Sequence, residues 1–276
     1  MTALSMPIEH GMPRLEVISR VPDAGGRRRP LLFVHGAWHG AWCWSEHFLD
    51  YFAARGFASH AVSLRGHGAS DGRSGLRWTR IADYVTDVAR VIDALPQEPI
   101  IVAHSMGAFV LQKLLESRQV PACVLLAPVP PRGAARITTK MLRRHPMQFL
   151  RGNLTLSLYP VVENEALVRD AFFSLDLAPP LVARYSDRMQ DESYRGFLDM
   201  LMLDLPRRRL HRPPTLVLAA GRDSLFDLDE VQATARTFGV EAEVVPDIAH
   251  DMMLDTNWRE VAGRISAWLD RQEVAA

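Results

Sequence analysis

The stretch PIIVAHSMGAFV, residues 99 to 110, decides the fold of this chain. Its first half is an uninterrupted apolar run that predicts a buried strand, and its second half predicts a helix beginning at Met106. Ser105 lies at the junction, and so sharp a turn requires the small residues Ala103 and Gly107 on either side. The Ser105 hydroxyl should then project beside the Met106 N–H. A nucleophile beside an oxyanion donor is the arrangement that acyl transfer requires.

The pentapeptide at 103 to 107 is a variant of the pattern G-x-S-x-G, with alanine replacing the first glycine. Alanine is the next smallest residue, so the variant is compatible with the same turn. The pattern alone leaves a second interpretation open, in which Ser105 caps an ordinary helix that follows a strand. The rest of the chain must therefore supply the catalytic partners.

Composition limits the classes of protein that this chain can be. It has 276 residues, 48% hydrophobic and 23% charged, with a formal net charge of zero. Such a chain can bury a large core, as one domain with an insertion or as two domains. The balanced charge gives no reason to expect nucleic acid or a charged membrane as partner. No window has the length and apolar character of a membrane span, so no stable membrane insertion is expected.

The two cysteines, Cys43 and Cys123, cannot form a disulfide framework and are expected to be free thiols in a reducing compartment. The N-terminal segment lacks the basic and apolar regions of a secretory signal. We therefore expect a cytoplasmic protein.

Apolar runs alternate with amphipathic segments along most of the chain, which predicts a mostly parallel central sheet covered by helices on both faces. Strands are predicted at residues 15–21, 31–34, 58–62, 100–103, 121–127, 215–220 and 242–245. Helices are predicted at residues 45–55, 81–95, 106–115, 228–238 and 258–274. In such sheets ligands bind at the C-terminal strand ends. The predicted fold class is therefore α/β, with Ser105 at the ligand-binding edge.

The alternation breaks between residues 129 and 211, which are expected to form an inserted helical cap. Helices are predicted there at residues 138–150, 163–173, 180–189 and 194–203. Residues 1–128 and 212–276 would form the core domain. The Met and Phe side chains of the cap favour an apolar or aromatic substrate, although the same pattern is typical of ordinary helix packing. Arg143 and Arg144 indicate either an anionic substrate or a solvated helix face.

Two later segments supply partners for the serine. A serine hydroxyl needs an imidazole to accept its proton and a carboxylate to hold that imidazole. Asp223 follows one predicted strand and His250 follows the next, so both should reach the edge that carries Ser105. The order Ser, Asp, His after successive strands is that of α/β-hydrolases.

Other carboxylates compete for the role of Asp223. Asp227 and Asp229 are close in sequence, but Asp223 follows the strand end most directly. Asp247 and Asp251 flank His250 and are possible local partners of its ring.

The chain resembles the α/β-hydrolase superfamily over nearly its whole length. The resemblance is carried by His35-Gly36, by Gly66-His67-Gly68-Ala69-Ser70, by Ser105 in AHSMG, by Asp223 in GRDSLF and by His250 in IAHDMM. It implies an oxyanion hole formed by the N–H groups of Ala37 and Met106. Trp38, His39 and His104 are candidates to line the site, and His39 is alternatively a hydrogen-bonded structural histidine.

Two loops resemble different branches of this superfamily. HGAWHGAWCW, residues 35 to 44, is similar to the loop of plant methylesterases and hydroxynitrile lyases, and GHGAS to that of monoacylglycerol lipases and lysophospholipases. Hydroxynitrile lyases carry Thr at the position of Gly36 and Lys at that of Asp251, which disfavours lyase chemistry. Haloalkane dehalogenases and epoxide hydrolases use Asp where this chain has Ser105.

The sequence therefore predicts a serine hydrolase acting on a small-molecule carboxylic ester through an acyl-enzyme. Thioesterases, carbon–carbon bond hydrolases and cofactor-free haloperoxidases share the triad and remain alternatives. An alternative from another class is a non-catalytic ligand receptor on the same fold. A receptor does not require the three triad positions to be filled, as they are here, which favours the enzyme. No His, Cys or carboxylate cluster has metal-ligand spacing, so no metal or cofactor is expected.

Overall fold

The computed structural model describes residues 11–22, 28–207 and 211–275. The remaining parts of the two predicted domains, residues 1–10, 23–27, 208–210 and 276, lie outside the described residues. The described residues contain seven strands, which are β1 (Val17–Arg20), β2 (Leu31–Val34), β3 (Ser59–Val62), β4 (Ile100–His104), β5 (Cys123–Leu126), β6 (Thr215–Ala220) and β7 (Glu243–Val245). They form one sheet in the order β1-β3-β2-β4-β5-β6-β7. Only β1 is antiparallel to its neighbour.

The centre of the sheet is buried on both faces. In β2, β4, β5 and β6 every residue is buried, because core helices cover both sides. These helices are α1 (Trp42–Ser45), α2 (Phe48–Ala53), α3 (Ile81–Ala94), α4 (Met106–Leu114), α10 (Leu228–Phe238) and α11 (Trp258–Ala275). The mostly parallel α/β sheet covered by helices on both faces, as predicted from the sequence, is confirmed.

The predicted helix at 45–55 is two short helices, α1 and α2, and begins three residues earlier. His47 separates them with a non-helical backbone (φ −143°). Its ring stacks on Trp258 with ring centroids 4.5 Å apart. None of the helices in the described ranges combines the length and the apolar character needed to cross a membrane.

The described residues between β5 and β6 form five α-helices, and the segment 129–211 is called the helical insertion below. Its helices are α5 (Ala135–Arg144), α6 (Pro146–Thr155), α7 (Glu165–Phe172), α8 (Pro179–Ser186) and α9 (Tyr194–Leu198). The single helix predicted at 138–150 is therefore wrong. Pro146 disfavours helical backbone at the preceding residue, and His145 accordingly has φ −135° and ψ 61°. The chain continues from α9 into a π-helical turn, Asp199–Leu203.

Candidate active site

The turn between β4 and α4 holds Ser105 in a strained conformation, φ 50° and ψ −115°. The turn is held at both sides, because the Ser105 N–H donates to Leu126 O (3.0 Å) and the Ser105 carbonyl accepts from Val129 N–H (3.3 Å). Gly107 permits the close approach of α4 to β2. A Cβ there would lie 2.5 Å from His35 O and 2.7 Å from Val34 O.

Three side chains predicted from three distant segments form one hydrogen-bonded chain. His250 Nε2 lies 3.0 Å from Ser105 Oγ, and His250 Nδ1 lies 2.9 Å from Asp223 Oδ2. A proton on Nδ1 is donated to the carboxylate, which leaves Nε2 to accept from the serine hydroxyl. The other oxygen, Asp223 Oδ1, accepts the N–H groups of Leu225 (2.8 Å) and Phe226 (3.2 Å). The three side chains are nearly inaccessible to bulk water.

The competing carboxylates have other partners. Asp227 caps α10 and binds Lys140 at 2.7 Å, while Asp229 binds Arg136 at 2.7 Å. Asp247 pairs with Arg222. Of the candidates weighed, Asp223 is the carboxylate that the structure brings to the His250 ring.

Two residues that line the pocket with the serine carry backbone N–H groups without an acceptor among the described residues. Ala37 and Met106 line the same pocket as Ser105, and within the described ranges neither amide has a hydrogen-bond acceptor. Met106 is the first residue of α4, where helix geometry leaves the N–H without an intrahelical partner. An oxyanion formed at the serine would satisfy such donors.

Two histidines hold the loop after β2. His35 Nδ1 donates to Gly36 O (2.7 Å), and its Nε2 accepts the N–H of Leu64 (3.1 Å). Burial, together with the nearby His67, holds the pKa of His35 well below its ordinary value, so the ring is neutral. His39 Nδ1 donates to Ala37 O at 2.7 Å. The carbonyls on both sides of the Ala37 N–H are thereby fixed.

His39 and His104, candidates to line the site, are instead buried next to it, and neither is among the described pocket-lining residues. His39 Nε2 lies 2.9 Å from Asp251 Oδ2. Burial opposes charge on both members of this pair. Their mutual attraction outweighs it, which raises the pKa of His39 and lowers that of Asp251. The structural interpretation of His39 is the one that the geometry supports.

His104 ends β4 and supports the loop that carries His250 from behind. Its Nε2 donates to His250 O at 2.9 Å, and burial, with the neighbouring His250, lowers its pKa to about 3. Ligand atoms of His104, His250 and Asp251 lie within 4.8 Å of one another. Both nitrogens of His250 are engaged by Ser105 and Asp223, so the group does not present a free set of metal ligands.

Ser105 opens into a pocket of about 930 Å³, mouth included, between the sheet edge and the helical insertion. Trp38 lines it, as predicted from its loop. Most other lining side chains are apolar, and they include Ile137, Met141, Phe149, Phe172, Phe197, Met200 and Phe226. In the described part of the chain no Lys or Arg lines the pocket, and Glu192 is its one charged lining residue.

Two buried acids near the site were not predicted. Glu192, from the insertion, reaches His67 and the Trp38 N–H. Asp255 accepts the N–H of Ala249 at 2.8 Å and binds the Ser174 hydroxyl, so it joins the loop of His250 to the insertion. Neither acid has a local sequence pattern, because each has a partner that is remote in the chain, His67 for Glu192 and Ser174 for Asp255.

Comparison with known proteins agrees with this fold. The chain matches the family model described as "Alpha/beta hydrolase family" over residues 31–264. The chain therefore belongs to the alpha/beta hydrolase family, and the family resemblance inferred from its motifs is confirmed.

Among curated proteins, norfluorocurarine synthase 2 from Strychnos sp is 30% identical over 109 residues, 38% of this chain and 40% of that protein. Methyl jasmonate esterase 1 from Vitis vinifera is 32% identical over 92 residues, 33% of this chain and 34% of the relative. The chain thus matches well under half of the length of these relatives. Among solved structures, a carboxylesterase structure from Nitrososphaera gargenis has a TM-score of 0.73 at 16% identity and covers 100% of both chains, which shows the shared fold.

Proposed function

We propose that the protein is a serine hydrolase that cleaves a carboxylic ester with an apolar acyl or aromatic group. The observation that carries the proposal is the hydrogen-bonded chain from Ser105 through His250 to Asp223, with 3.0 and 2.9 Å links, opening into an apolar pocket. Residues 129–211 are proposed to act as its cap.

The reaction proceeds in two steps. His250 Nε2 takes the hydroxyl proton as Ser105 Oγ attacks the ester carbonyl, and the Ala37 and Met106 N–H groups stabilise the oxyanion. His250 then gives the proton to the departing alcohol, which leaves an acyl-enzyme. In the second step His250 takes a proton from water, the hydroxide adds to the acyl carbon, and the acid departs as Ser105 recovers its proton. Asp223 orients the ring and stabilises the imidazolium.

The charge of the pocket lining supports a neutral substrate. Transfer of an ionised group into an apolar site is costly unless an opposite charge pairs with it. Glu192, the charged lining residue, is negative and already accepts hydrogen bonds from His67 and Tyr84. Arg143 and Arg144 are exposed on α5 and are absent from the described lining, so a role in binding an anionic substrate gains no support.

The names of the relatives agree with this class without identifying the substrate. One relative is named for esterase action on methyl jasmonate. Thioester hydrolysis, carbon–carbon bond hydrolysis and perhydrolysis would use the same groups, and a receptor would use the same pocket. These alternatives are separated by substrate trials.

The test is hydrolysis of p-nitrophenyl esters of graded acyl length, beside a thioester series of the same lengths. Ser105→Ala should lower kcat by about 10⁶-fold, as loss of the nucleophile does in related chemistry. Ser157→Ala, which removes another pocket-lining hydroxyl, is the matched control and should retain most of the turnover. Turnover that survives in folded Ser105→Ala would refute the mechanism, and wild-type protein inactive on every ester would refute the esterase activity.

We also propose a cytoplasmic location, because free thiols are typical of a reducing compartment. Both cysteines are buried free thiols.

Burial raises the pKa of Cys43 well above its ordinary value and that of Cys123 to about 12. Neither thiol is therefore an alternative nucleophile near neutral pH.

A further inference from the structure

Glu192 is a buried carboxylate that the proposed reaction does not use. It belongs to the helical insertion, yet only 1% of its surface is exposed. It accepts hydrogen bonds from the Tyr84 hydroxyl (2.7 Å), the Ser193 N–H (2.6 Å) and His67 Nε2 (2.9 Å). Burial opposes its charge, but His67 and these donors outweigh burial and hold the pKa of Glu192 below its ordinary value. Burying an ionised carboxylate this completely costs free energy, so we expect its contacts to serve a purpose.

The remaining contact of Glu192 is with the Trp38 N–H, at 3.3 Å. Trp38 has φ 65°, a left-handed conformation that bulky residues rarely adopt. The insertion holds it at two further points, because the Trp38 carbonyl accepts from Gln190 N–H (3.1 Å) and its indole N–H donates to Leu158 O (3.2 Å). A strained backbone persists where its surroundings over-determine it.

These contacts fix the peptide unit that follows the candidate oxyanion donor. The unit between Ala37 and Trp38 is held at its oxygen by His39 and at its N–H by Glu192. The oxygen of the preceding unit is held by His35, and its N–H is that of Ala37, for which the described residues supply no acceptor. Both units share the Ala37 Cα, so a displacement of the later unit would move this atom and change the direction of the Ala37 N–H.

We propose that Glu192 is a positioning residue, through which the helical insertion holds the Ala37 N–H in place for the oxyanion. The inference rests on the proposed serine hydrolase function. It assigns the insertion a part in the chemistry in addition to its place in the pocket wall.

The test compares Glu192→Gln with Glu46→Gln. Glu46 also joins the core to the insertion, binding Arg184 (2.7 Å) and Arg188 (2.6 Å), but it does not contact Trp38. Loss of a whole oxyanion donor lowers kcat by about 10²–10³-fold. A donor that is present but poorly aimed should cost less, so Glu192→Gln should lower kcat by about 10- to 100-fold with KM changed by less than about twofold. Glu46→Gln should leave kcat unchanged.

A second measurement distinguishes a misdirected Ala37 N–H from a general loss of structure in the site. An alkyl trifluoromethyl ketone adds to the serine and forms an oxyanion, so its inhibition constant should rise in Glu192→Gln in proportion to the fall in kcat. Inhibition by the product alcohol, which forms no oxyanion, should not change. If Glu192→Gln does not fold, Glu192→Asp keeps the charge that faces His67 but shortens the reach to Trp38, and the same pattern is expected.

Three results would overturn the inference. One is a folded Glu192 variant with wild-type kcat and ketone inhibition, another is a ketone constant that does not follow kcat, and the third is an equal loss in Glu46→Gln. Ser105→Ala is measured in the same series. Its full activity would refute the proposed function itself, whereas an inactive Ser105→Ala beside a fully active Glu192 variant would refute the positioning role alone.

Discussion

A methyl group added at Gly107 should destabilise the protein more than one added at a glycine with open space around it. The Cβ of Gly107→Ala would lie 2.5 Å from His35 O and 2.7 Å from Val34 O. Both oxygens belong to the backbone at the end of β2, which pairs with strands on either side and cannot shift alone. Overpacking usually costs about 1–3 kcal/mol, and against backbone we expect the upper end, about 3 kcal/mol.

Two control glycines distinguish the cost of a steric contact from the cost of a left-handed backbone. Gly239 has φ 76° and Gly75 has no positive φ, and a Cβ at either would meet nothing within 4 Å. Gly239→Ala should therefore cost about 1 kcal/mol, the strain of a left-handed alanine. Gly75→Ala should change the free energy of unfolding by less than about 0.5 kcal/mol.

The assay is urea unfolding followed by tryptophan fluorescence, with the slope of the transition compared across the three variants. The expected order of stability is Gly75→Ala, then Gly239→Ala, then Gly107→Ala. A Gly107 variant as stable as the Gly75 variant would refute the close packing of α4 on β2. Equal losses at Gly107 and Gly239 would show that the backbone contact at Gly107 costs no more than the strain of a left-handed alanine.

Three further predictions concern the buried polar groups. Asp223→Asn should lower kcat by about 10⁴-fold by favouring the wrong tautomer of the His250 ring. Asp227→Asn keeps a capping side chain but loses the ion pairs with Lys140 and Arg136, so it should cost less than about 1 kcal/mol and leave kcat unchanged. Steady-state kinetics and urea unfolding on both variants check this, and equal losses of kcat would contradict it. His104 stays neutral in the folded protein with a pKa of about 3, while the same side chain in the unfolded chain takes a proton below pH 6.5. This group therefore lowers the free energy of unfolding by about 1.4 kcal/mol for each unit by which the pH falls below 6.5. His104→Gln should reduce the slope of unfolding free energy against pH by that amount. For Asp251→Asn, the loss of stability should be greatest between about pH 4 and 6.5. The raised pKa of His39 makes its stabilising contribution complete below pH 6.5, and the lowered pKa of Asp251 makes its contribution complete above about pH 4. The loss should shrink as the pH rises through the folded pKa of His39, and a pH-independent loss would contradict this.

Much of the sheet could be predicted from the sequence because its strands are short apolar runs bounded by turn residues. β2 and β6 begin and end where the pattern predicts. The turn at Ser105 was predictable because close approach leaves only small residues beside it. Where the prediction was wrong, at the break between α5 and α6, the signal was present in Pro146, but the apolar spacing on both sides continued across it.

The environment of the site was less predictable, because it depends on contacts between remote segments. The sequence names His39 and His104 as members of loops near the serine but does not say which way each ring points. His104 is the last residue of β4, and its ring packs against His250 instead of lining the pocket that Ser105 faces. Glu192 had no signal at all, since its partners Tyr84 and His67 lie more than a hundred residues earlier. The functional roles of the assembled residues stay predictions until the variants are measured.

The link through Asp255 has a consequence for protein engineering. One carboxylate joins Ser174, at the end of α7, to Ala249, the neighbour of His250. A chimera that exchanges residues 129–211 for the corresponding segment of another family member would therefore leave the histidine loop without one of its fixed points. To be transplanted with its substrate preference, the segment must bring a hydroxyl at the position of Ser174.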